Sequence, residues 1–357
     1  MNTEKSVETM VGKTMERKTG DTNRLGLSKA DYSGGKSTLC TGCGHDSITN
    51  HIITALHQSS MDPYSVTKLS GIGCSSKTPA YFLSRSHGFN SIHGRMAPVA
   101  TGVHLANRRQ FLIGVSGDGD TASIGLGSFA HMLRRNVPLL YLVENNGVYG
   151  LTKGQFSATA EEGSRAKSGV ANPFQGIDLC TLAIEMGCGF VARSFSGDAR
   201  QLVPLLNLAF RHRGTAFIDV ISPCITFANH EGSTRSFEAV RAQNVHLQEL
   251  GFIQPQQEIK VDYGEGEAKE IELHDGSRLI LRKLASSEHD VNRKDMALAR
   301  LHEAKARGEF LTGLFYWDQK SRPLAETMNL VDQPLSQLAD ETRPPKAALD
   351  RMMDRFR

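Results

Sequence analysis

The sequence predicts an α/β protein built on a doubly wound, mainly parallel sheet and followed by a hairpin-containing extension. Between residues 39 and 224, short apolar runs alternate with Gly-rich turns and with stretches of helical spacing. The pattern then changes. Residues 269–284 alternate apolar and polar side chains around Asp275-Gly276, which is a hairpin signal.

The elements of the core follow from their spacing. Residues 110–116 are an apolar run that ends in Gly-Asp-Gly-Asp, as a buried strand entering a turn does. Apolar side chains recur at helical spacing in residues 123–135, and residues 137–144 are a second apolar strand. Residues 216–221 are another strand, which closes on Ser-Pro-Cys. Ligands of such sheets gather at the carboxyl ends of the strands.

We divide the chain into four predicted segments. They are an N-terminal extension (1–36), an α/β domain (37–254), a C-terminal extension (255–331) and a C-terminal arm (332–357). The first is polar and aperiodic, and the last is rich in Pro, Gln, Arg and Asp. We expect both end segments to wrap a partner subunit.

Charge and hydropathy exclude several classes of protein. The 357 residues carry 41 Lys+Arg against 38 Asp+Glu, and a net charge of +3 gives no case for nucleic-acid binding. No apolar run is long enough to cross a membrane, and the N-terminus lacks the apolar core of a signal peptide. We therefore expect a cytoplasmic protein whose cysteines are thiols or metal ligands.

Polar residues that follow two strands point to a magnesium–diphosphate site. Gly117-Asp118-Gly119 comes just after one strand and opens a helix, whose amide groups and positive end suit a diphosphate. After the next strand, Asn146 and the Val148 carbonyl return to the same edge. With the Asp118 carboxylate, these are oxygen ligands of the kind that Mg²⁺ prefers. Two unrelated turns are the alternative, since Gly-Asp-Gly and Asn-Asn-Gly are common turn formers.

Four cysteines are candidate metal ligands. Cys40-x-x-Cys43 brings two thiolates together on one turn, a spacing compatible with zinc, a redox dithiol or an iron–sulfur cluster. Cys74 and Cys224 each terminate a predicted strand at the same edge. Four converging thiolates suit a 4Fe–4S cluster, although spacing alone leaves zinc open. The other two cysteines lack a partner motif and are predicted core thiols.

Together these motifs resemble the β subunit of the 2-oxoacid:ferredoxin oxidoreductase family, with the 2-oxoglutarate enzymes as the best match. The resemblance spans roughly residues 36–330 and is carried by Cys40-Thr-Gly-Cys43-Gly-His45, the SGIGCSSK run at 70–77, His93-Gly-Arg95, Gly117-Asp-Gly-Asp120, residues 146–155 and Pro223-Cys224. It implies a fold of the thiamine diphosphate-binding type.

The resemblance also implies roles for individual residues. Those predicted to contact thiamine diphosphate are Ile72, Gly73, Cys74 and Ser75 along the cofactor, Gly119 and Asp120 at its diphosphate, and Gly150 and Leu151 closing over it. Those predicted to bind metal are Asp118, Asn146 and Val148 for Mg²⁺, and Cys40, Cys43, Cys74 and Cys224 for one 4Fe–4S cluster. Cys224 is the distant fourth ligand of that cluster.

Three side chains are candidates for direct action on the substrate. Lys77 follows Cys74 on the same segment, and we predict that its ammonium binds the distal carboxylate of a dicarboxylic oxoacid. His45 and His93 could donate hydrogen bonds to the diphosphate or to the substrate carboxylate. The alternatives are an ordinary surface lysine and buried histidines satisfied by backbone groups.

The resemblance further implies that this chain is half of an active site. In the family, the pyrimidine-binding domain and its glutamate lie on a separate α subunit, and this sequence contains only the diphosphate half. The expected partners are therefore an α (or fused γ/α) subunit, ferredoxin, a 2-oxoacid and coenzyme A. The expected assembly is a dimer of αβ heterodimers.

The implied reaction is the step of the tricarboxylic acid cycle that converts 2-oxoglutarate and coenzyme A to succinyl-CoA and CO₂, with reduction of ferredoxin. A pyruvate or broad-specificity enzyme of the same family is the first alternative. A non-oxidative thiamine decarboxylase subunit is the second, and the four cysteines argue against it because it needs no electron outlet. A zinc-stabilised scaffold is the third, and it would not require magnesium ligands.

Overall fold

The computed structural model describes residues 22–152, 154–164, 170–224, 258–273 and 278–356. The strands in these ranges are β1 (Val66–Ser70), β2 (His87–Asn90), β3 (Phe111–Gly117), β4 (Leu139–Asn145), β5 (Val148–Tyr149), β6 (Gln155–Phe156), β7 (Phe190–Phe195), β8 (Thr215–Ile221), β9 (Ala268–Glu272), β10 (Arg278–Lys283) and β11 (Glu309–Trp317). The α-helices are α1 (Gly44–Gln58), α2 (Met96–Ala106), α3 (Leu126–Arg135), α4 (Leu179–Glu185), α5 (Ala199–Ala209), α6 (Lys294–Ala306), α7 (Leu324–Thr327) and α8 (Lys346–Met353).

Nine of these strands form one sheet in the order β2-β1-β3-β4-β8-β7-β11-β10-β9. The six strands from β2 to β7 in that order pair in parallel, which confirms the predicted doubly wound, mainly parallel sheet. β11 joins β7 antiparallel, and β10 runs parallel to β11. The C-terminal extension therefore continues the main sheet and does not form a layer of its own.

The predicted hairpin of the extension is present as the antiparallel pair β9–β10, with Glu272 opposite Arg278. Its predicted turn at Asp275-Gly276 lies outside the described residues. The predicted domain boundary at residue 254 also falls outside them and stays a prediction.

The core lies on both faces of the sheet. In β4, Leu139, Tyr141 and Val143 pack on the face covered by α2, α3, α4 and α6. Leu140 and Leu142 pack on the opposite face, under α1 and α5. Successive side chains of a strand point to opposite faces, so a strand covered on both sides is apolar throughout. This explains the continuous apolar runs in the sequence.

The chain after β3 begins with a π-helical turn, which the sequence pattern did not predict. A helix was expected over residues 123–135, but α3 begins at Leu126 and a π-helical turn, Gly119–Ile124, precedes it. The Gly125 N–H donates to the Asp120 carbonyl over 2.8 Å, which is the long-range bond of a π turn. A side chain at Gly125 would lie 2.8 Å from that carbonyl oxygen, so close packing requires glycine here.

The described residues near the N-terminus pack against the core, whereas the C-terminal helix does not. Residues 22–36 were predicted as part of an extension, but Tyr32 is fully buried and its hydroxyl donates to the Met61 carbonyl over 2.8 Å. Residues 1–21 lie outside the described residues. The C-terminal α8 buries none of its side chains, as expected of an arm. In the described ranges, no helix combines the length and the apolar character needed to cross a bilayer.

Candidate active site

Four neighbouring strands end at one edge of the sheet and position the candidate site. β1, β3, β4 and β8 lie side by side in the sheet order. Cys74 follows the end of β1, Asp118 follows β3, Asn146 follows β4, and Cys224 follows β8. Because these strands are parallel, their carboxyl ends meet at the same edge. The structure thus places Cys74, Asp118, Asn146 and Cys224 along one edge of the sheet.

Asp118 is a buried carboxylate, with 1% of its surface exposed. Its Oδ1 accepts a hydrogen bond from the Asn146 N–H over 3.3 Å, and its Oδ2 accepts one from the Thr159 hydroxyl over 2.7 Å and another from Ser157. Burial raises the pKa of this carboxyl, and those three hydrogen bonds oppose the rise. Asp118 is therefore held against the turn that follows β4.

That turn presents further oxygen donors. Gly147 has a positive φ of 72°, which lets the chain reverse tightly after Asn146. The Asn146 side-chain oxygen accepts the Val148 N–H over 3.1 Å. A carboxylate, an amide oxygen and a main-chain carbonyl are donors that fit Mg²⁺. The described residues hold no group of three or more His, Cys, Asp or Glu that could bind a metal ion, so magnesium here would need the amide and carbonyl oxygens.

Asp120 ties three segments of the site together. Its Oδ1 accepts the Gly94 N–H over 2.6 Å, and its Oδ2 accepts the Ser116 hydroxyl over 3.0 Å. Gly71, just after β1, lies so close that a Cβ there would be 2.4 Å from both Asp120 Oδ2 and Ser116 Oγ. The role predicted for Asp120 at a diphosphate stays a prediction. In the structure, its carboxylate organises the loops around the site.

Gly71→Ala is expected to weaken the site because the added methyl group must displace the Asp120 carboxylate or the β3 end. Overpacking of this kind costs about 1–3 kcal/mol of unfolding free energy. Thermal denaturation measures the loss. Gly102→Ala is the matched control, since nothing lies within 4 Å of a Cβ at this α2 position. Equal stability of the two variants would contradict the close approach at Gly71.

The turn after β1, residues 71–75, has open space next to its backbone at Gly73. Ser75 is buried and its hydroxyl donates to the Ile72 carbonyl over 3.1 Å, which closes the turn. Gly73 has a positive φ of 84°, and no atom lies within 4 Å of the position of a Cβ. Open space above a glycine in a turn allows a ligand to approach the backbone. The segment predicted to line thiamine diphosphate therefore fits such a ligand.

Tyr149 covers Gly119 and was missed at the sequence level. Its hydroxyl donates to the Gly119 carbonyl over 2.8 Å, and its ring would lie 2.6 Å from a Cβ at Gly119. A glycine is therefore required under this ring. The neighbouring Gly150 is half-buried and Leu151 is 59% exposed, so both lie at the mouth of the site.

His45 and Glu144 form a buried pair, of which the sequence indicated only the histidine. His45 Nδ1 lies 2.7 Å from the Ser222 hydroxyl, and its Nε2 lies 3.7 Å from Glu144. Burial lowers the pKa of His45 to about 4, so the ring is neutral near pH 7. The Thr78 hydroxyl lies 2.9 and 3.0 Å from the two oxygens of Glu144, whose pKa burial raises. His45 is therefore a buried histidine whose ring contacts side chains and not backbone groups, and its predicted role toward the diphosphate or the substrate stays a prediction.

Two of the four candidate cysteines, Cys43 and Cys74, interact electrostatically with Glu144. No disulfide joins any of the six cysteines, all of which are in the described ranges. Electrostatic interactions link Cys43 with Cys224, and Cys74 with both Cys40 and Cys224. Each of the four is partly exposed, whereas the two predicted core thiols are fully buried. The four thiols therefore share one region of the fold, but among the described residues they do not form a group that could hold a metal ion. Their role as ligands of an iron–sulfur cluster stays a prediction.

Lys77 and His93 occupy different parts of the site. Lys77 is half-buried on the 3₁₀ turn that starts at Ser75. Burial raises the pKa of the Cys74 thiol, and the nearby Lys77 ammonium opposes this. His93 is exposed beside Gly94, whose N–H binds Asp120. The structure therefore places Lys77 with the cysteines, and it does not bring His93 into the buried group of His45.

A cavity of about 330 Å³ runs between Cys224 and the turn of residues 145–148, which carries the predicted magnesium ligands Asn146 and Val148 and is called the magnesium turn. Its polar lining comes from Asn145, Asn146, Thr159 and Glu161, and its apolar lining from Val148, Phe156, Leu279 and Phe310. A cavity of this size and mixed lining suits a small organic ligand.

The fold and this site define a thiamine diphosphate-binding domain. A family profile described as the C-terminal TPP-binding domain of thiamine pyrophosphate enzymes matches residues 71–220. The match begins in the turn after β1 and ends within β8, so it contains the magnesium turn and the segments around Asp118.

Comparison with individual proteins gives the family. The chain is 33% identical over 214 residues to the 2-oxoglutarate synthase subunit KorB of Methanocaldococcus jannaschii, covering 58% of this chain and 78% of that protein. It is 42% identical over 189 residues to the 2-oxoacid:ferredoxin oxidoreductase subunit beta of Saccharolobus solfataricus, covering 53% of this chain and 62% of that protein. The chain belongs to the β-subunit family of the 2-oxoacid:ferredoxin oxidoreductases, which confirms the resemblance.

A solved structure extends the likeness beyond the matched segment. The 2-oxoglutarate:ferredoxin oxidoreductase from Magnetococcus marinus, with 2-oxoglutarate, coenzyme A and succinyl-CoA bound, superposes with a TM-score of 0.67 at 25% identity. The superposition covers 89% of this chain and 97% of that chain. The superposition therefore extends beyond residues 71–220, the segment that the family profile matches.

Proposed function

We propose that this chain is the thiamine diphosphate-binding subunit of an enzyme that oxidatively decarboxylates 2-oxoglutarate. The products are succinyl-CoA, CO₂ and reduced ferredoxin. The observation that carries the proposal is the shared edge of the sheet, where the oxygen donors after β3 and β4 lie between the strand ends that precede Cys74 and Cys224. A site with both sets of ligands suits carbon–carbon cleavage followed by electron removal.

Thiamine diphosphate supplies an electron sink for cleavage next to a carbonyl group. Asp118, Asn146 and Val148 would hold the Mg²⁺ that binds its diphosphate. The loop residues that would surround the cofactor are Ile72, Gly73, Cys74, Ser75, Gly119, Asp120, Gly150 and Leu151. The open space above Gly73 and the close contact of Tyr149 with Gly119 support this placement.

Cys40, Cys43, Cys74 and Cys224 would hold one 4Fe–4S cluster. The names of the relatives support a cluster over zinc, because they pair these enzymes with ferredoxin, an acceptor of single electrons. Cys74 also belongs to the loop that would line the cofactor. That placement suits transfer of single electrons between the two groups.

A partner subunit would complete the site. The names of the relatives describe β subunits, and the Methanocaldococcus jannaschii relative is named as a subunit of 2-oxoglutarate synthase. Large apolar side chains are exposed near the mouth, with Leu151 at 59%, Ile92 at 74% and Phe89 at 48%. Such groups suit burial against another chain. The α subunit would cover them and supply the pyrimidine side of the site.

Anaerobic co-expression with the α subunit tests this proposal. We expect a brown complex that contains iron, sulfide, magnesium and thiamine diphosphate, and that reduces a dye in the presence of 2-oxoglutarate and coenzyme A. A colourless magnesium protein with decarboxylase activity would favour the non-oxidative alternative. A zinc protein without activity would favour a scaffold. Equal rates with pyruvate would favour the broad-specificity alternative.

Lys77→Met is expected to lower kcat/KM for 2-oxoglutarate while leaving that for pyruvate nearly unchanged. The two substrates differ in the distal carboxylate, and a charge-assisted contact with it contributes about 1.5–3 kcal/mol, or roughly ten- to over a hundredfold. Steady-state kinetics of the intact complex measure the change. Lys320→Met is the control, because Lys320 is exposed after β11. Equal losses on both substrates would assign Lys77 to the cofactor or to the reacting carboxylate instead.

A further inference from the structure

A buried ion pair lies behind the magnesium turn. Arg193 on β7 and Asp219 on β8 are register partners in the parallel pair of strands, with 4% and 0% of their surfaces exposed. Arg193 Nε donates to Asp219 Oδ2 over 2.8 Å, and Arg193 Nη2 donates to Asp178 Oδ2 over 2.8 Å. One guanidinium therefore binds two carboxylates inside the fold.

Asp219 also binds the last residue of β4. The Asn145 Nδ2 group donates to Asp219 Oδ1 over 3.1 Å. An ionised carboxylate can only accept hydrogen bonds, so the amide NH₂ of Asn145 must face Asp219. Its Oδ1 is then turned to the other side, where the Gly147 N–H lies 3.3 Å away. The charge on Asp219 thus fixes which way the Asn145 amide points.

The orientation of Asn145 reaches Asp118 through the turn after β4. Asn145 Oδ1 accepts the Gly147 N–H over 3.3 Å, and the Asn146 N–H of the same turn donates to Asp118 Oδ1 over 3.3 Å. The Thr159 hydroxyl has one proton, which it donates to Asp118 Oδ2 over 2.7 Å, so its 3.1 Å approach to Asn145 Oδ1 is not a second hydrogen bond. If the Asn145 amide were reversed, its NH₂ would face the Gly147 N–H, and two donors would oppose each other. The turn that carries Asn146 would then lose its hydrogen bond. The path from Arg193 to Asp118 is continuous at hydrogen-bond distances.

The two carboxylates that Arg193 binds, Asp178 and Asp219, contact different parts of the fold. Asp178 caps α4, where its Oδ1 accepts the Thr181 N–H over 2.7 Å, so its contact serves the helix. Asp219 instead joins Arg193 to Asn145. Buried ion pairs contribute little to stability compared with apolar residues of the same size, because desolvation opposes their attraction. A contribution to the stability of the fold is therefore not sufficient to explain why a carboxylate is buried at Asp219.

We infer that the Arg193–Asp219 pair positions the magnesium turn by holding the Asn145 amide in one orientation. The inference rests on the proposed function, because it concerns the same metal site. Both residues act through Asn145 and are positioning residues. Their loss should change the affinity of the turn for Mg²⁺ with thiamine diphosphate.

Asp219→Asn in the αβ complex tests the inference, since an asparagine can face Asn145 with either its oxygen or its NH₂. The measurement is equilibrium binding of thiamine diphosphate to the cofactor-free complex as Mg²⁺ is varied. We expect the Mg²⁺ concentration for half-maximal binding to rise roughly tenfold or more, as for other outer-shell changes. Asp198→Asn is the control, because Asp198 is 3% exposed, caps α5 and contacts Lys283 over 2.8 Å, away from Asn145.

Asn145→Leu provides a second variant that leaves the ion pair intact. It should raise the Mg²⁺ requirement as much as Asp219→Asn does, and the double variant should be no worse than Asn145→Leu alone. Wild-type Mg²⁺ dependence in Asn145→Leu would overturn the inference. So would a change in Asp219→Asn no larger than in Asp198→Asn. A wild-type complex that binds no thiamine diphosphate would instead overturn the proposed function, and the inference with it.

Discussion

Replacement of Asp118 by alanine is expected to abolish retention of thiamine diphosphate and Mg²⁺ by the complex. Asp118 is the one carboxylate among the three predicted magnesium ligands, and a neutral site would leave the metal and the diphosphate without a bridging charge. The side chain is buried at the end of β3 and is held by Thr159 and by the Asn146 N–H. The loss should exceed a hundredfold in affinity, on the order of 3 kcal/mol or more.

Equilibrium dialysis followed by measurement of bound thiamine checks this result. Asp62→Ala is the matched control, since Asp62 is an exposed carboxylate that caps the short turn before β1, at the opposite edge of the sheet. It should bind the cofactor as the wild type does. Asp118→Asn should retain an intermediate affinity because its amide oxygen remains a ligand. Wild-type affinity in Asp118→Ala would sink the assignment of the magnesium site.

Much of the fold could be predicted because the core strands are continuous apolar runs. Both faces of β4 are covered, so its residues from Leu139 to Val143 are apolar without interruption. The runs of β1, β3 and β4 end in Gly- or Asn-containing turns and that of β8 in Ser-Pro-Cys, all at the carboxyl edge where parallel sheets bind ligands. The positions of Asp118, Asn146 and Cys224 beside one another follow from that rule together with the strand order.

The contacts between distant segments could not be predicted from local pattern. Glu144 ends an apolar strand and is indistinguishable in sequence from a turn residue, yet Thr78 and His45 bury it. Tyr149 covers Gly119 only because β5 folds back over the π turn. For Glu144, the only local signal is that a charged residue directly follows the apolar run from Leu139 to Val143. Residues 22–36 were predicted as an extension because they are polar, although one aromatic side chain, Tyr32, anchors them.

The buried ion pair between Arg193 and Asp219 could not be predicted from the sequence for the same reason. Arg193 is an isolated arginine in a strand, and only the pairing of β7 with β8 brings it to Asp219. Sequence spacing gives no information on a pair separated by a helix and two turns. Family resemblance, in contrast, depends on short motifs at the edge of the sheet. This is why candidate ligands could be named from sequence, whereas the residues that support them required the structure.

Replacement of Cys224 by serine is expected to remove the iron–sulfur cluster and with it all dye reduction. A serine oxygen is a poor substitute for a thiolate ligand of iron, and three cysteines leave one iron of the cluster open. Carbon–carbon cleavage precedes electron removal, so CO₂ release in a single turnover should persist. Iron and sulfide content, visible absorption and single-turnover CO₂ release of the anaerobic complex measure the three effects separately.

Cys188→Ser is the matched control for Cys224→Ser. The Cys188 thiol is fully buried, with its sulfur 3.2 Å from the Thr215 carbonyl and 3.3 Å from the Phe190 carbonyl, so a serine hydroxyl can donate in its place. This variant should keep its colour and its dye reduction, with at most a modest loss of stability. Cys74→Ser should lose both, as Cys224→Ser does. A fully coloured and active Cys224→Ser complex would show that the fourth ligand is another residue, because the electron path cannot survive the loss of the cluster.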